Sequence, residues 1–227
     1  MPQEREVTEP AEVLRASYGA FAAVVRSITD ERSWLPTGCV GWSVRDLVFH
    51  CLSDAQRGLV ALHTPAEGMP DRDAVTYWAD WRPGTVGAAN GRRYNRVVAS
   101  MFLHVEQLCE LYAETAAAVV YAAAGAAIDR PVATQGHVLR AGDLIRTLAV
   151  EATIHHLDLV VSLPDAPGPS TGGLGEVRRT LDGLLGRPVP VAWDDTRYAR
   201  AATGRAPLTD ADRDRLGPDA ARFPLFG

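Results

Sequence analysis

Residues 144–163 read LIRTLAVEATIHHLDLVVSL, and their periodicity decides the fold. Leu144, Leu148, Glu151, His155, Leu159 and Ser162 recur at steps of three and four, the spacing of one face of an α-helix. That face is apolar except for Glu151 and His155. An ionised carboxylate turned into apolar surroundings without a partner costs several kcal/mol, so the pattern demands a compensating group. A Glu and a His four apart on a helix have Cβ atoms about 5–6 Å apart and can converge on one metal ion. A Glu–His hydrogen bond, or an Arg from a neighbouring helix, satisfies the same carboxylate.

Upstream, the same periodicity predicts three more long helices. Leu14, Tyr18, Phe21, Val25 and Ile28 mark a helix over about 10–32. Pro36, Gly38 and Gly41 then break the pattern, and Ser43 followed by Asp46 is a capping-box start for a second helix that runs to about His63. Tyr94, Val98, Met101, Val105, Leu108, Tyr112, Thr115 and Val119 predict one continuous third helix over about 90–124. The segment between the second and third helices reads as a connection with one short helix around TYWADWRPG, and DRPVATQGHVLRAG reads as a loop. Four such helices, the last over about 141–163, imply a bundle. Beyond Pro164 the stretch PDAPGPSTGG reads as a linker and EVRRTLDGLLG as a further helix. VPVAWDD and RYARAATG suggest a small hairpin, and Thr209 caps a last short helix. The expected architecture is all-α dominated, with a bundle over 1–165 and a short α/β appendage over 166–227.

The second helix supplies the natural third ligand. His50 lies inside the bundle segment, flanked by Leu47, Cys51 and Asp54. Cys51 is an unlikely companion because adjacent helical residues point about 100° apart. The three cysteines, Cys39, Cys51 and Cys109, form no CxxC pair and read as small core residues in a reducing compartment. His63 and His104 read as ordinary surface or core histidines. His156 is turned away from Glu151 and is expected to pack against, or hydrogen-bond to, another helix. Trp42 and Trp78 read as core or pocket walls.

The 227 residues include 47% hydrophobic types and 23 Lys plus Arg against 28 Asp plus Glu, giving a formal charge of -5. Such a balance argues against a nucleic-acid partner, because that binding rests on basic residues neutralising phosphates. No run of 18 apolar residues and no signal-like N-terminus is present, so the expected location is the cytoplasm, without membrane contact. The expected assembly is a monomer or a homodimer, and one chain does not choose between them.

Two of these motifs carry a resemblance. GWSVRDLVFH (41–50) and EATIHHLDLVVSL (151–163) resemble the second-helix opening and the E-x-x-[IV]-HHxDL segment of the DinB-like four-helix bundles. The nearest group among them is the actinobacterial mycothiol-dependent maleylpyruvate isomerases. The likeness covers about residues 10–165 and implies that His50, Glu151 and His155 hold one divalent metal, usually taken as zinc. It further implies mycothiol, or a related low-molecular-weight thiol, as a second cofactor. The implied chemistry is an isomerase or S-transferase reaction on a small electrophile through a metal-bound thiolate. Two departures stand out: Thr153 replaces a frequent acidic residue, and the segment after Pro169 is shorter than the C-terminal domain of the best-known isomerases.

Three protein ligands leave an exchangeable position, as in catalytic metal sites. The same ligands also suit a metal-dependent hydrolase with activated water, or a metal-binding bundle without turnover. Arg82, after the WADW segment, is a candidate catalytic and thiol-binding residue because its guanidinium can fork onto a carboxylate; the alternative is a solvated surface arginine. Gln135 is a candidate thiol-binding residue and His137 a candidate catalytic one, since their loop precedes the ligand-bearing helix. Loop-stabilising hydrogen bonds are the alternative role for both.

Overall fold

The computed structural model describes residues 9–81 and 86–227, with the side chains of 86–90 left out. Helices dominate. Among the described residues they are α1 (Pro10–Val25), α2 (Val44–His63), α3 (Val86–Ala99), α4 (Val105–Ala124), α5 (Ala141–Leu159), α6 (Thr171–Leu185), α7 (Asp195–Ala202) and α8 (Asp210–Leu216). Among the described residues a single two-stranded antiparallel sheet joins β1 (Pro131–Thr134) to β2 (His137–Arg140). No helix among the described residues is long and apolar enough to cross a membrane.

Helices α1, α2, α4 and α5 form the expected bundle, with α1 on α4 and α5, and α2 on the same two. Leu14, Phe21 and Val25 from α1 meet Leu47 and Leu52 from α2, Leu108 and Tyr112 from α4, and Ile145 from α5 in one core. The start of α2 follows its sequence signal: the Asp46 carboxylate accepts the Ser43 N–H at 2.9 Å and the Ser43 hydroxyl at 2.8 Å. Thr209 and Asp212 make the same reciprocal arrangement at α8.

Nearly every residue of α5 is buried, because the helix is covered on opposite sides. One side faces the bundle; the other meets α6 and α7, where Val150, Ile154 and Leu157 pack with Leu181, Leu185 and Tyr198. A helix apolar nearly all round belongs at the centre of its protein. Close approach of α6 depends on Gly173, where a Cβ would overlap the hydroxyls of Ser17 on α1 and Thr153 on α5.

The structure corrects the expected element boundaries in five places. The continuous third helix is two helices, broken between Ala99 and Val105. The break is held by a tertiary cap: Asp30 accepts the Val105 N–H at 2.6 Å and lies 3.2 Å from His104 Nδ1. Met101, placed on the core stripe by periodicity, is 76% exposed. The first helix ends at Val25, and a short 3₁₀ turn over Arg32–Trp34 follows. The hairpin lies at 131–140, in the stretch read as loop, whereas 195–202 is helical because the Asp194 side chain caps it from the Arg197 N–H. Helix α6 begins inside the stretch read as linker, capped by Ser170 Oγ on the Gly173 N–H.

Candidate metal centre

Helices α2 and α5 cross so that three side chains meet at one point. His50 Nε2 lies 3.1 Å from Glu151 Oε1 and 3.0 Å from His155 Nε2, and the last two atoms are 3.2 Å apart. Ligand atoms bound tetrahedrally at about 2.0–2.1 Å would stand about 3.3 Å from one another, so this nearly regular triangle fits one small divalent ion. His50 and Glu151 are 25% and 23% exposed and His155 is 9% exposed, so the triangle opens on the side of the first two.

Behind the triangle, His155 Nδ1 lies 3.0 Å from Asp158 Oδ2. A proton on Nδ1 shared with that carboxylate leaves the Nε2 lone pair pointing at the triangle, the usual support of a ligating histidine. Arg205, far along the chain, holds Asp158 with Nε on Oδ1 and Nη2 on Oδ2, both at 2.8 Å. The Cys39 thiol lies 3.1 Å from Asp158 Oδ2 and 3.7 Å from His155 Nδ1. Cys39, His155 and Asp158 are thus a second group spaced for a cation. Its carboxylate is already occupied by Arg205, so this group serves better as the support of the first.

The electrostatics of the triangle call for positive charge. Burial pushes His50 down, only partly offset by its hydrogen bond to Glu151. Burial works on Glu151 in the opposite sense, but His155 and the hydrogen bonds from both imidazoles hold its carboxyl well below the usual range. For His155 burial is outweighed by Glu151, Cys39 and Asp158, which raise it. The centre therefore pairs an anionic Glu151 with a protonated His155, the proton sitting on donor atoms for which a divalent cation would compete.

A cavity of about 150 Å³ opens beside the triangle, and its wall includes Asp54, Arg57, Tyr77, Trp78, Gln135 and Arg205. Gln135 sits at the two-residue tip of the β1–β2 hairpin with φ +50°, followed by Gly136 at +84°. Two successive positive φ values make the tight turn that matches strand twist, normally an Asn-Gly position. Gln135 Nε2 donates to the Tyr77 hydroxyl at 3.1 Å, and its amide oxygen has no partner among the described residues.

The structure brings His50, Glu151, His155 and Gln135 together. It does not bring His137, whose Nδ1 lies 3.0 Å from Asp71 Oδ2 and Nε2 3.6 Å from Asp80 Oδ2, away from the cavity wall. Arg82 lies outside the described residues. His156 Nε2 donates to the Pro167 carbonyl at 2.9 Å and packs edge-on to Phe21 of α1. Trp42 packs beside His50 at 5.0 Å, and Trp78 lines the cavity.

Fold and site together define a class: helical bundles in which two helices present two histidines and a glutamate to one point beside a small cavity. The chain belongs to the family described as the mycothiol maleylpyruvate isomerase N-terminal domain, whose family model matches residues 14–160. No curated protein and no solved structure matches it.

Proposed function

We propose that this protein is a thiol-dependent isomerase or S-transferase for a small electrophile, with mycothiol or a related thiol as cosubstrate and a divalent cation, zinc by preference, at His50, Glu151 and His155. The observation that carries the reading is the triangle of donor atoms 3.0–3.2 Å apart, open on one side to a cavity. When bound, the cation supplies Lewis acidity that lowers the proton affinity of a thiol ligand.

The chain's own residues do the rest. Asp158 and Arg205 fix the His155 ring so that Nε2 faces the triangle. Asp54, one turn after His50, lines the cavity without a hydrogen-bond or ion-pair partner among the described residues. Its carboxyl, pushed up to about 7 by burial and by Glu151, takes the proton that a thiol gives up. Gln135 offers its amide oxygen to an N–H or O–H of the thiol cosubstrate. Tyr77, Trp78 and Trp81 wall the cavity and limit access of water to the reacting sulfur. Addition of the sulfur to a conjugated carbon, rotation about the bond that this makes single, and elimination of the sulfur give isomerisation; protonation of the adduct and its release give transfer.

The test is turnover of small electrophiles with and without mycothiol, before and after chelation, in the native chain and in His155→Ala. Activity that requires the thiol, disappears with chelator and returns with zinc supports the proposal. Turnover indifferent to thiol and chelator refutes it, and metal-dependent turnover without thiol turns the reading to hydrolysis.

A further inference from the structure

A second concavity, of about 820 Å³, lies between the Trp34–Ser43 loop and α3, with Trp42 in its wall. One wall carries Arg92, Arg93 and Arg96, three exposed guanidiniums within five residues of α3. None has a hydrogen-bond or ion-pair partner among the described residues. Several other arginines are taken up by acids, as at Arg72–Asp80, Arg146–Glu176 and Arg197–Asp212. The cleft's own acid, Asp46, is engaged by the backbone and hydroxyl of Ser43. Unpaired positive charge concentrated in one concavity of a chain of net charge -5 is a counter-ion site without its counter-ion.

The facing wall gives the ligand its shape. Trp34 is 60% exposed, yet its ring is held in place. The Arg45 guanidinium lies 4.3 Å from the ring centroid, and Arg45 is itself buried and anchored by a 2.8 Å hydrogen bond to the Phe102 carbonyl. A fixed indole, with Pro36 and Val40 beside it, is a platform for a flat apolar body. The volume falls in the range of small-molecule sites, about 300–1,000 Å³.

We infer that this cleft binds a planar organic anion, its ring against Trp34 and its anionic group on Arg92, Arg93 and Arg96. The cleft shares no residue with the metal triangle, although Cys39 and Trp42 in its wall pack against His155 and His50, and it does not depend on the proposed thiol chemistry. Isothermal titration of the full chain with 2-naphthyl phosphate tests it. Saturable one-to-one binding is expected, at least tenfold weaker in R92A/R93A/R96A and several-fold weaker in Trp34→Ala. Neutral 2-naphthol should not saturate, and the native chain treated with a chelator should bind the phosphate as the untreated chain does. The three arginines are exposed, so their replacement leaves the fold intact, and Trp34→Ala provides an independent readout. Equal affinity in the triple variant, saturation by 2-naphthol, absence of saturable binding, or loss of binding on chelation would overturn the assignment.

Discussion

Asp158 accepts hydrogen bonds from His155, from Cys39 and twice from Arg205, and Gly38 donates its N–H to the Asp158 carbonyl at 3.0 Å. In Asp158→Asn the amide weakens the hold on the His155 ring and leaves the Arg205 charge without its counter-ion. Metal affinity should fall about 10–100-fold, measured by competition with a chromogenic chelator. Stability should fall as well, because a largely buried charge loses its partner, at a cost of roughly 3–5 kcal/mol. Asp54 makes a separable prediction. Its folded pKa of about 7 lies above the ordinary 3.8, so the folded form binds the proton more tightly than the unfolded one. In chelated protein stability should therefore decline as pH rises from about 4 to 7, and Asp54→Asn should flatten that slope in denaturant titrations. The same variant should keep its metal and lose about a hundredfold in turnover. Glu151 and His155 were legible in the sequence because a charge on an apolar stripe needs an explanation. Asp158, three residues on and so on the same helical side, carried a readable signal that spacing alone did not single out. Arg205 carried none, since nothing local marks a partner 47 residues away.

The elements show the same division between local and distant causes. Capping boxes at Ser43 and Thr209 are written within four residues, and both helices start where those signals place them. The break before α4 is set by Asp30, from another part of the chain, and periodicity alone runs straight through it. The β1–β2 hairpin was missed because Gln-Gly is a weak turn signal beside Asn-Gly, and Gln135 must accept a positive φ to make it. Helix α6 presses on α1 and α5 through Gly173, where neighbouring hydroxyls occupy the space a side chain would need. Gly173→Ala gains helix propensity but has to push the two helices apart. Overpacking of this kind costs about 1–3 kcal/mol. The melting temperature should drop by several degrees in calorimetry, while zinc binding in the same variant stays close to native.

At the scale of the molecule, α5 carries two of the proposed ligands on one side and the apolar contacts to α6 and α7 on the other, so the candidate metal centre and both cores share one rod. A cation that binds only the folded form stabilises the whole. Zinc at about a hundred times its dissociation constant should add about 2.7 kcal/mol, raising the melting temperature by roughly 5–10 °C for a chain of this size. Glu151→Gln should abolish that increment in thermal scans with and without chelator; an equal zinc shift in the variant would show that the ion binds elsewhere. The reach of Arg205 back to Asp158 has a further consequence for biosynthesis. A ribosome delivers the histidines and the glutamate early and the arginine that steadies them much later. A nascent chain thus carries the proposed ligands before Arg205, and closure of the His155–Asp158–Arg205 clamp waits on translation of the tail.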